Sequence, residues 1–395
     1  MHVGINAQLL SFSQNYRNSG ISRHIRSLLT ALARWPGQHE YTVFVNGQDV
    51  IECLGARHPQ ITYVPVPWPE ARPASRIAWE QFALPALIRQ RHIDVLHSPA
   101  NVLPELLPRN CAGVVTLHDL AFLRFPKVLT RTKRLYHRTF TIRSLQRATM
   151  IITVSESTKQ DAIELVGIPA ERLQAVYASI DERFSSMASE EEVNAFRQKH
   201  GLIQGFLLYL GTLEPRKNIA RLIEAYAHLR RTYARTEKLV LAGGKGWLYE
   251  KVYEKIEQLG LKGEVIFPGF VADSEQKLWY CSASAFVYPS LYEGFGLPVA
   301  EALACGTPVV TSNVSGLREA GSDIALCVEP HNVEAMADAQ YRALTDQALR
   351  QRCRAMAAVV AQRFSAQTMV ERTVGVYEQA AALHSSRRAR SFSRI

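Results

Sequence analysis

Short apolar runs alternate with longer amphipathic segments along almost the whole chain. In the first half the runs at 2–7, 41–46, 61–66, 93–97, 113–117, 149–154 and 172–177 predict strands. The segments 21–34, 75–91, 130–148 and 155–166 predict helices. The alternation restarts near residue 206. Strands are expected at 206–211, 238–242, 264–267, 284–288, 308–311 and 325–328. Helices are expected at 218–233, 247–259, 274–282, 297–305, 332–344 and 365–383. Strand alternating with helix signals parallel sheets with crossover helices. Thirteen strand candidates exceed what one sheet commonly holds, and the restart divides them into two doubly wound α/β domains.

The break falls at 178–205, where Ser185, Ser186, Ser189 and Glu190–Glu192 form a polar stretch with a helix start at Glu190. The expected organisation is an N-terminal domain at 1–183, a C-terminal domain at 184–370, and a terminal helix with a basic tail at 371–395. In open parallel sheets ligands sit beyond the carboxyl ends of the strands. Two facing domains would therefore hold the site in the cleft between them.

Composition narrows the class. The chain has 395 residues, 47% hydrophobic and 21% charged, which excludes a disordered chain. Lys and Arg number 46 against 36 Asp and Glu, a net charge of +10. Such a diffuse excess says little about fold or function. The cysteines at 53, 111, 281, 305, 327 and 353 form no Cys-x-x-Cys, so zinc and redox motifs are unsupported. They read as small buried hydrophobes in a reducing cytoplasm. No apolar stretch reaches the roughly 18–20 residues of a membrane span, and the first residues lack a signal-peptide pattern.

Several chemistries are excluded by their missing fingerprints. Gly-x-Gly-x-x-Gly, Walker A, His-Glu-x-x-His, Gly-x-Ser-x-Gly and Asp-x-Asp are all absent. Gly243, Gly244, Lys245 and Gly246 lack Walker spacing and read as a strand-ending turn. The informative stretch is 289–310. There an apolar strand runs into a turn with Gly294 and Gly296, then into a helix with Pro298 in its first turn. The glycines let a ligand approach the backbone, and N–H groups at the helix start attract anions. Glu293 and Glu301 are acceptors for polyol hydroxyls at two ends of one ligand. Arg216 and Lys217, within Gly211–Asn218 at another strand end, suit a diphosphate. With no metal motif they would compensate the charge of a leaving group. Gly20, in the stretch 17–23 before the first long helix, allows close approach of a phosphate to a helix N-terminus. His118 ends the strand at 113–117, where structural and catalytic readings stand about even.

Together these residues resemble the retaining glycosyltransferases of family four, with the two-domain glycosyltransferase-B fold. The resemblance spans nearly the whole chain and is strongest over 206–330, where Glu-Pro-Arg-Lys-Asn and Glu-x7-Glu occur in order. It implies a nucleoside diphosphate sugar, GDP or UDP undetermined, in the C-terminal domain and an acceptor in the N-terminal one. No further cofactor and no metal are implied. Arg216 and Lys217 would hold the diphosphate, Glu301 the ribose and Glu293 the donor sugar. Backbone N–H groups at Phe295, Gly296 and Leu297 would reach phosphate or sugar. His118 matches the family's histidine near the transferred sugar. Ser19, Ala178 and Arg318 depart from the family pattern.

The implied reaction is a retaining hexosyl transfer, inclined toward a mannosyl donor, onto a glycan or lipid-linked acceptor. The rivals are a sugar-nucleotide epimerase or glycosyl phosphorylase on the same scaffold and, more remotely, a nucleic-acid or membrane-binding protein. No pyridoxal-binding lysine is evident. Residues 124–147 carry eight Lys and Arg and no Asp or Glu. With Arg131, Arg134 and Arg138 on one helical face, they read either as a solvated helix that packs Leu135 and Phe140 on the core or as peripheral contact with an anionic membrane from the cytoplasm.

Overall fold

The computed structural model describes residues 1–12, 20–66, 73–125, 135, 137–202, 205–244 and 250–392. The chain divides into two compact units. Unit 1 comprises Met1–Ser179 and Ala366–Ile395, and unit 2 comprises Ile180–Ser365.

Unit 1 holds β1 (His2–Ala7), β2 (Glu40–Val45), β3 (Ile61–Pro65), β4 (Val95–Ser98), β5 (Ala112–Leu117), β6 (Met150–Thr153) and β7 (Leu173–Ala175). They form one sheet in the order β3-β2-β1-β4-β5-β6-β7, with every pairing parallel. Side chains alternate across the sheet. Val3, Ile5 and Ala7 pack under helix Gly20–Arg34 and Tyr377 of the last helix. Phe44, Leu96 and Val115 pack on the opposite face with Trp79 and Leu84. Tyr377 lies on helix Ala366–Phe392, and its hydroxyl is 2.7 Å from His97 Nδ1.

Unit 2 holds β8 (Phe206–Leu210), β9 (Lys238–Ala242), β10 (Val265–Gly269), β11 (Ala285–Tyr288), β12 (Val309–Ser312) and β13 (Leu326–Val328). Their order is β10-β9-β8-β11-β12-β13, again all parallel. Both sheets reverse their winding once, between β1 and β4 in unit 1 and between β8 and β11 in unit 2. A crevice opens at such a reversal, because the flanking connections leave toward opposite faces.

The thirteen strands fall where the apolar runs placed them, within a few residues. The helices differ more. The expected helix 75–91 is broken by a π-turn at Trp79–Ala83 between Pro73–Ala78 and Leu84–Gln90. Helix 130–148 is described only in part, as a π-turn at His137–Thr141 followed by Ile142–Arg147. A helix at Gln347–Arg363 has no counterpart among the expected elements. It buries only Cys353, Ala357, Val360 and Ala361, a narrow stripe of mostly small residues that gives a weak apolar signal. Asp346 caps it by accepting the Leu349 N–H at 3.0 Å.

Candidate functional site

The reversal between β8 and β11 gathers the charged residues of unit 2. β8 ends at Leu210 and leads through Glu214 to a single 3-10 turn, Pro215–Lys217. Asn218 follows at φ 62°, a left-handed conformation between the 3-10 turn and helix Ile219–Tyr233. Its side-chain amide donates to the Pro330 carbonyl at 2.7 Å, which fixes the turn. The neighbouring strand end, β11, delivers Tyr288 and then the loop that carries Glu293.

Glu293 is bound by both expected cations. Arg216 Nη1 donates to Oε2 at 2.9 Å, and Lys217 Nζ donates to Oε1 at 2.5 Å. Lys217 also donates to the Tyr288 hydroxyl at 2.7 Å. Arg216 reaches Glu214 at 2.8 Å and the Tyr292 carbonyl at 2.8 Å. Two carboxylates and two cations therefore share one partly buried cluster of zero net charge. Burial alone would push the Glu293 carboxyl upward. The adjacent Arg216 and Lys217 outweigh it and hold the group at about 2. Burial raises the Tyr209 and Tyr288 hydroxyls well above their ordinary range, so both remain neutral donors.

The loop at 293–296 is set by backbone contact. Gly316, the second residue of helix Ser315–Gly321, lies so close to it that an added Cβ would be 2.3 Å from the Gly294 carbonyl oxygen and 2.5 Å from Phe295 Cα. The Gly316 N–H donates to the Glu293 carbonyl at 3.2 Å, and Ser315 Oγ accepts the Glu293 N–H at 2.9 Å. Gly296 has φ 113°, in the region that favours glycine, and turns the chain into helix Leu297–Ala304. Phe295 packs edge-on to Phe364, with ring centroids 5.1 Å apart. Glu301 lies one turn inside that helix and is 4% exposed. Tyr280 donates its hydroxyl to Glu301 Oε2 at 2.8 Å.

Unit 1 holds the other two expected residues. His118 follows β5. Its Nε2 lies 2.8 Å from the Pro99 carbonyl, and its N–H donates to Asn101 Oδ1 at 3.0 Å. A carbonyl can only accept, so Nε2 carries the proton and Nδ1 is the acceptor nitrogen of the neutral ring. Burial lowers the His118 pKa, consistent with that form. His24 meets it edge-on at 5.1 Å. Gly20 is the first residue of its helix. Among the described residues a Cβ there would meet nothing within 4 Å, so their packing does not itself demand glycine at this position. Arg17, Asn18, Ser19, Lys127, Arg131, Lys133, Arg134, Tyr136, Lys245 and Gly246 lie outside the described residues.

Sequence reading passed over Glu214, Tyr280, Tyr288 and Ser315. Glu214 stood inside the cation motif without a role of its own. The two tyrosines read as core residues of apolar segments. The signal for Tyr288 was its place as the last residue of a strand that enters the glycine turn.

Among the described residues no helix is long and apolar enough to cross a membrane. In the basic stretch, Arg124 is paired with Asp161 at 2.6 Å and Arg147 with Glu105 at 2.6 Å.

Two doubly wound units, with charged and hydroxylic side chains at the sheet reversals, have the architecture of a ligand-binding α/β protein. Residues 18–184 match the model of Glycosyltransferase Family 4, and residues 192–359 match Glycosyl transferases group 1. The O-antigen chain mannosyltransferase B of Escherichia coli is 32% identical over 284 residues, 72% of this chain and 74% of that protein. The chain belongs to this glycosyltransferase family and is a glycosyltransferase. The Escherichia coli serotype-specific mannosyltransferase WbdA is 33% identical over 56% of this chain, which spans only 27% of WbdA. The fold is that of glycosyltransferase-B proteins. Anabaena HepE, crystallised with UDP, superposes with a TM-score of 0.70 at 18% identity, covering 96% of this chain and 99% of HepE. WaaG, a glycosyltransferase involved in lipopolysaccharide biosynthesis, gives 0.68 at 20% identity over 95% and 99% of the two chains.

Proposed function

We infer that the protein is a retaining, metal-independent hexosyltransferase that moves mannose from a nucleoside diphosphate donor to a hydroxyl of a growing glycan. The observation that carries this reading is the Glu214–Arg216–Lys217–Glu293 cluster at the β8/β11 reversal. The mannosyltransferase names of the relatives and the UDP bound by HepE support the donor class.

In this reading an incoming diphosphate competes with Glu293 for Arg216 and Lys217. Its oxygens take the two cations, a planar fork and a point charge. The released Glu293 carboxylate turns to the hydroxyls of the donor sugar. Glu301, held by Tyr280, accepts from the ribose hydroxyls, and N–H groups at Phe295, Gly296 and Leu297 reach phosphate or sugar. The bond from the anomeric carbon to the phosphate oxygen then breaks. Negative charge grows on the diphosphate, and Arg216 and Lys217 stabilise it without a divalent ion. The acceptor hydroxyl attacks from the face of departure, and its proton passes to the leaving phosphate oxygen. Neutral His118 orients the sugar and takes no part as a nucleophile.

The acceptor is a lipid-linked or polysaccharide chain met at the cytoplasmic membrane face, with Arg138 and its basic neighbours docking on anionic headgroups. Salt-sensitive co-sedimentation with anionic vesicles is expected, and no sedimentation at low salt would leave a soluble acceptor. The transferase reading itself is tested with GDP-mannose and UDP-glucose in EDTA, identifying released nucleotide and sugar product. Transfer with retained anomeric configuration is expected. Activity abolished by chelator and restored by manganese would overturn the metal-free step.

A further inference from the structure

The rule that places the charged cluster of unit 2 at β8/β11 also marks β1/β4 in unit 1. The β1–β4 register runs Val3 to Val95, Gly4 to Leu96 and Ile5 to His97, which sets Asn6 beside Ser98 at the carboxyl edge. Both residues belong to the face opposite Ile5 and His97. Asn6 is also in register with Phe44 of β2, and Trp79 packs on Phe44 at 5.9 Å. The π-turn Trp79–Ala83 therefore lies over the end of β1. π-turns insert an extra residue in a helix and are frequent at functional sites. Here the turn directs Glu80 toward Asn6, whose Nδ2 donates to Glu80 Oε1 at 3.2 Å. One guanidinium nitrogen of Arg76 holds both Glu80 oxygens, at 2.7 and 2.8 Å.

This edge is buried, polar and incompletely paired. Asn6, Gln8, Glu80 and Ser98 are each under 9% exposed. Among the described residues, Asn6 Oδ1, both amide atoms of Gln8, and Ser98 Oγ have no hydrogen-bond partner. Buried polar atoms are ordinarily paired, and an unpaired one costs about 1–3 kcal/mol. A buried ion pair such as Arg76–Glu80 contributes little net stability by itself. Several such costs at one sheet reversal point to recognition.

We propose that Asn6, Gln8, Ser98 and the Arg76-held carboxylate of Glu80 form a subsite for the ring hydroxyls of the acceptor sugar. The chemistry selects hydroxyls over phosphate. The unpaired atoms of Asn6, Gln8 and Ser98 belong to neutral groups, and one Arg76 nitrogen is bound to both Glu80 oxygens. Sugar hydroxyls both donate and accept, which matches a carboxylate beside unpaired amide and hydroxyl groups. The subsite rests on the transferase reading above and adds to it the acceptor's neutral, polyhydroxylic character at its point of attachment.

The test is calorimetric titration of methyl α-D-mannopyranoside and methyl α-D-glucopyranoside into the full chain saturated with GDP or UDP. At least one glycoside should bind. Glu80→Gln should weaken it at least about tenfold, the loss of one charge-assisted hydrogen bond. Asn6→Ala should weaken it less. Nucleotide affinity, a property of unit 2, should stay at the wild-type value and serves as the control for folding. If Glu80→Gln lowers the melting temperature, Ser98→Ala carries the same comparison. Equal glycoside affinity in wild type and variants overturns the subsite, as does the absence of glycoside binding to the nucleotide-loaded protein. Failure of both GDP and UDP to bind overturns the transferase reading and the subsite with it.

Discussion

The two sheet reversals share one geometry and carry opposite chemistry. At β8/β11 every prominent side chain is charged or bonded to a charge, and Glu293 sits between two cations at 2.9 and 2.5 Å. At β1/β4 Asn6, Gln8 and Ser98 are neutral, and among the described residues four of their polar atoms have no partner. A parallel sheet that reverses its winding supplies a crevice, and the residues at the strand ends decide what it takes. In the proposed reading, the charged edge of unit 2 takes a diphosphate in exchange for Glu293, and the polar edge of unit 1 takes sugar hydroxyls.

The largest effect should come from emptying the charged edge. Arg216→Ala with Lys217→Ala removes both cations and is expected to lower kcat/KM for the donor by at least about a hundredfold, comparable to losing an electrostatic donor to a transition state. The double variant also leaves Glu293 buried without its ion pairs, so melting should fall too. Wild-type donor turnover in the double variant would break the contrast between the edges.

Acid should reach the charged edge through Glu293. Its folded value of about 2 lies below the ordinary 4.5. The stability it contributes is therefore present above the unfolded value and is lost as pH falls through about 2. The full contribution is about 3 kcal/mol, of which about 2 kcal/mol should disappear between about pH 5 and pH 3. Urea unfolding at the two pH values should show this loss in the wild type and a smaller one in Glu293→Gln. Parallel losses in both proteins would mean that the ion pairs do not hold Glu293 in solution.

Gly316→Ala probes the backbone contact under Glu293. Its Cβ would overlap the Gly294 carbonyl and Phe295 Cα, and main chain cannot swing aside as a side chain can. A destabilisation of about 1–3 kcal/mol is expected, with a higher donor KM as the loop at 293–296 shifts. Unchanged melting and KM would show that the loop tolerates displacement. The smallest effect should be Tyr280→Phe, which removes one hydrogen bond to Glu301 and should weaken nucleoside diphosphate binding by about 1 kcal/mol in calorimetry. No change would place the ribose away from Glu301.

The charged edge was more legible in the sequence than the polar one. Strand runs, glycine turns and the Pro298 helix start are local, and each follows from a few neighbouring residues. They sufficed to set Arg216, Lys217 and Glu293 just beyond strand ends and Glu301 a turn inside the following helix. The neutralisation of the cations was not visible, because Arg216 and Glu293 meet only when β8 and β11 become neighbours across an intervening pair of strands in the chain. Asn6 and Glu80 were hidden for a similar reason. Their contact depends on sheet order and on a π-turn, which leaves no period in the sequence distinct from that of an α-helix. The Gln347–Arg363 helix escaped because small buried residues mark its inner face too faintly.

The central claim is that Arg216 and Lys217 are the diphosphate-binding cations, released by Glu293 when the donor arrives. Calorimetric titration of GDP and UDP, each beside its parent nucleoside, into wild type and the Arg216→Ala/Lys217→Ala variant tests it most directly. The claim predicts that the diphosphate loses at least about tenfold in affinity in the variant, while the nucleoside binds both proteins alike. Equal diphosphate affinity in the two proteins would contradict it.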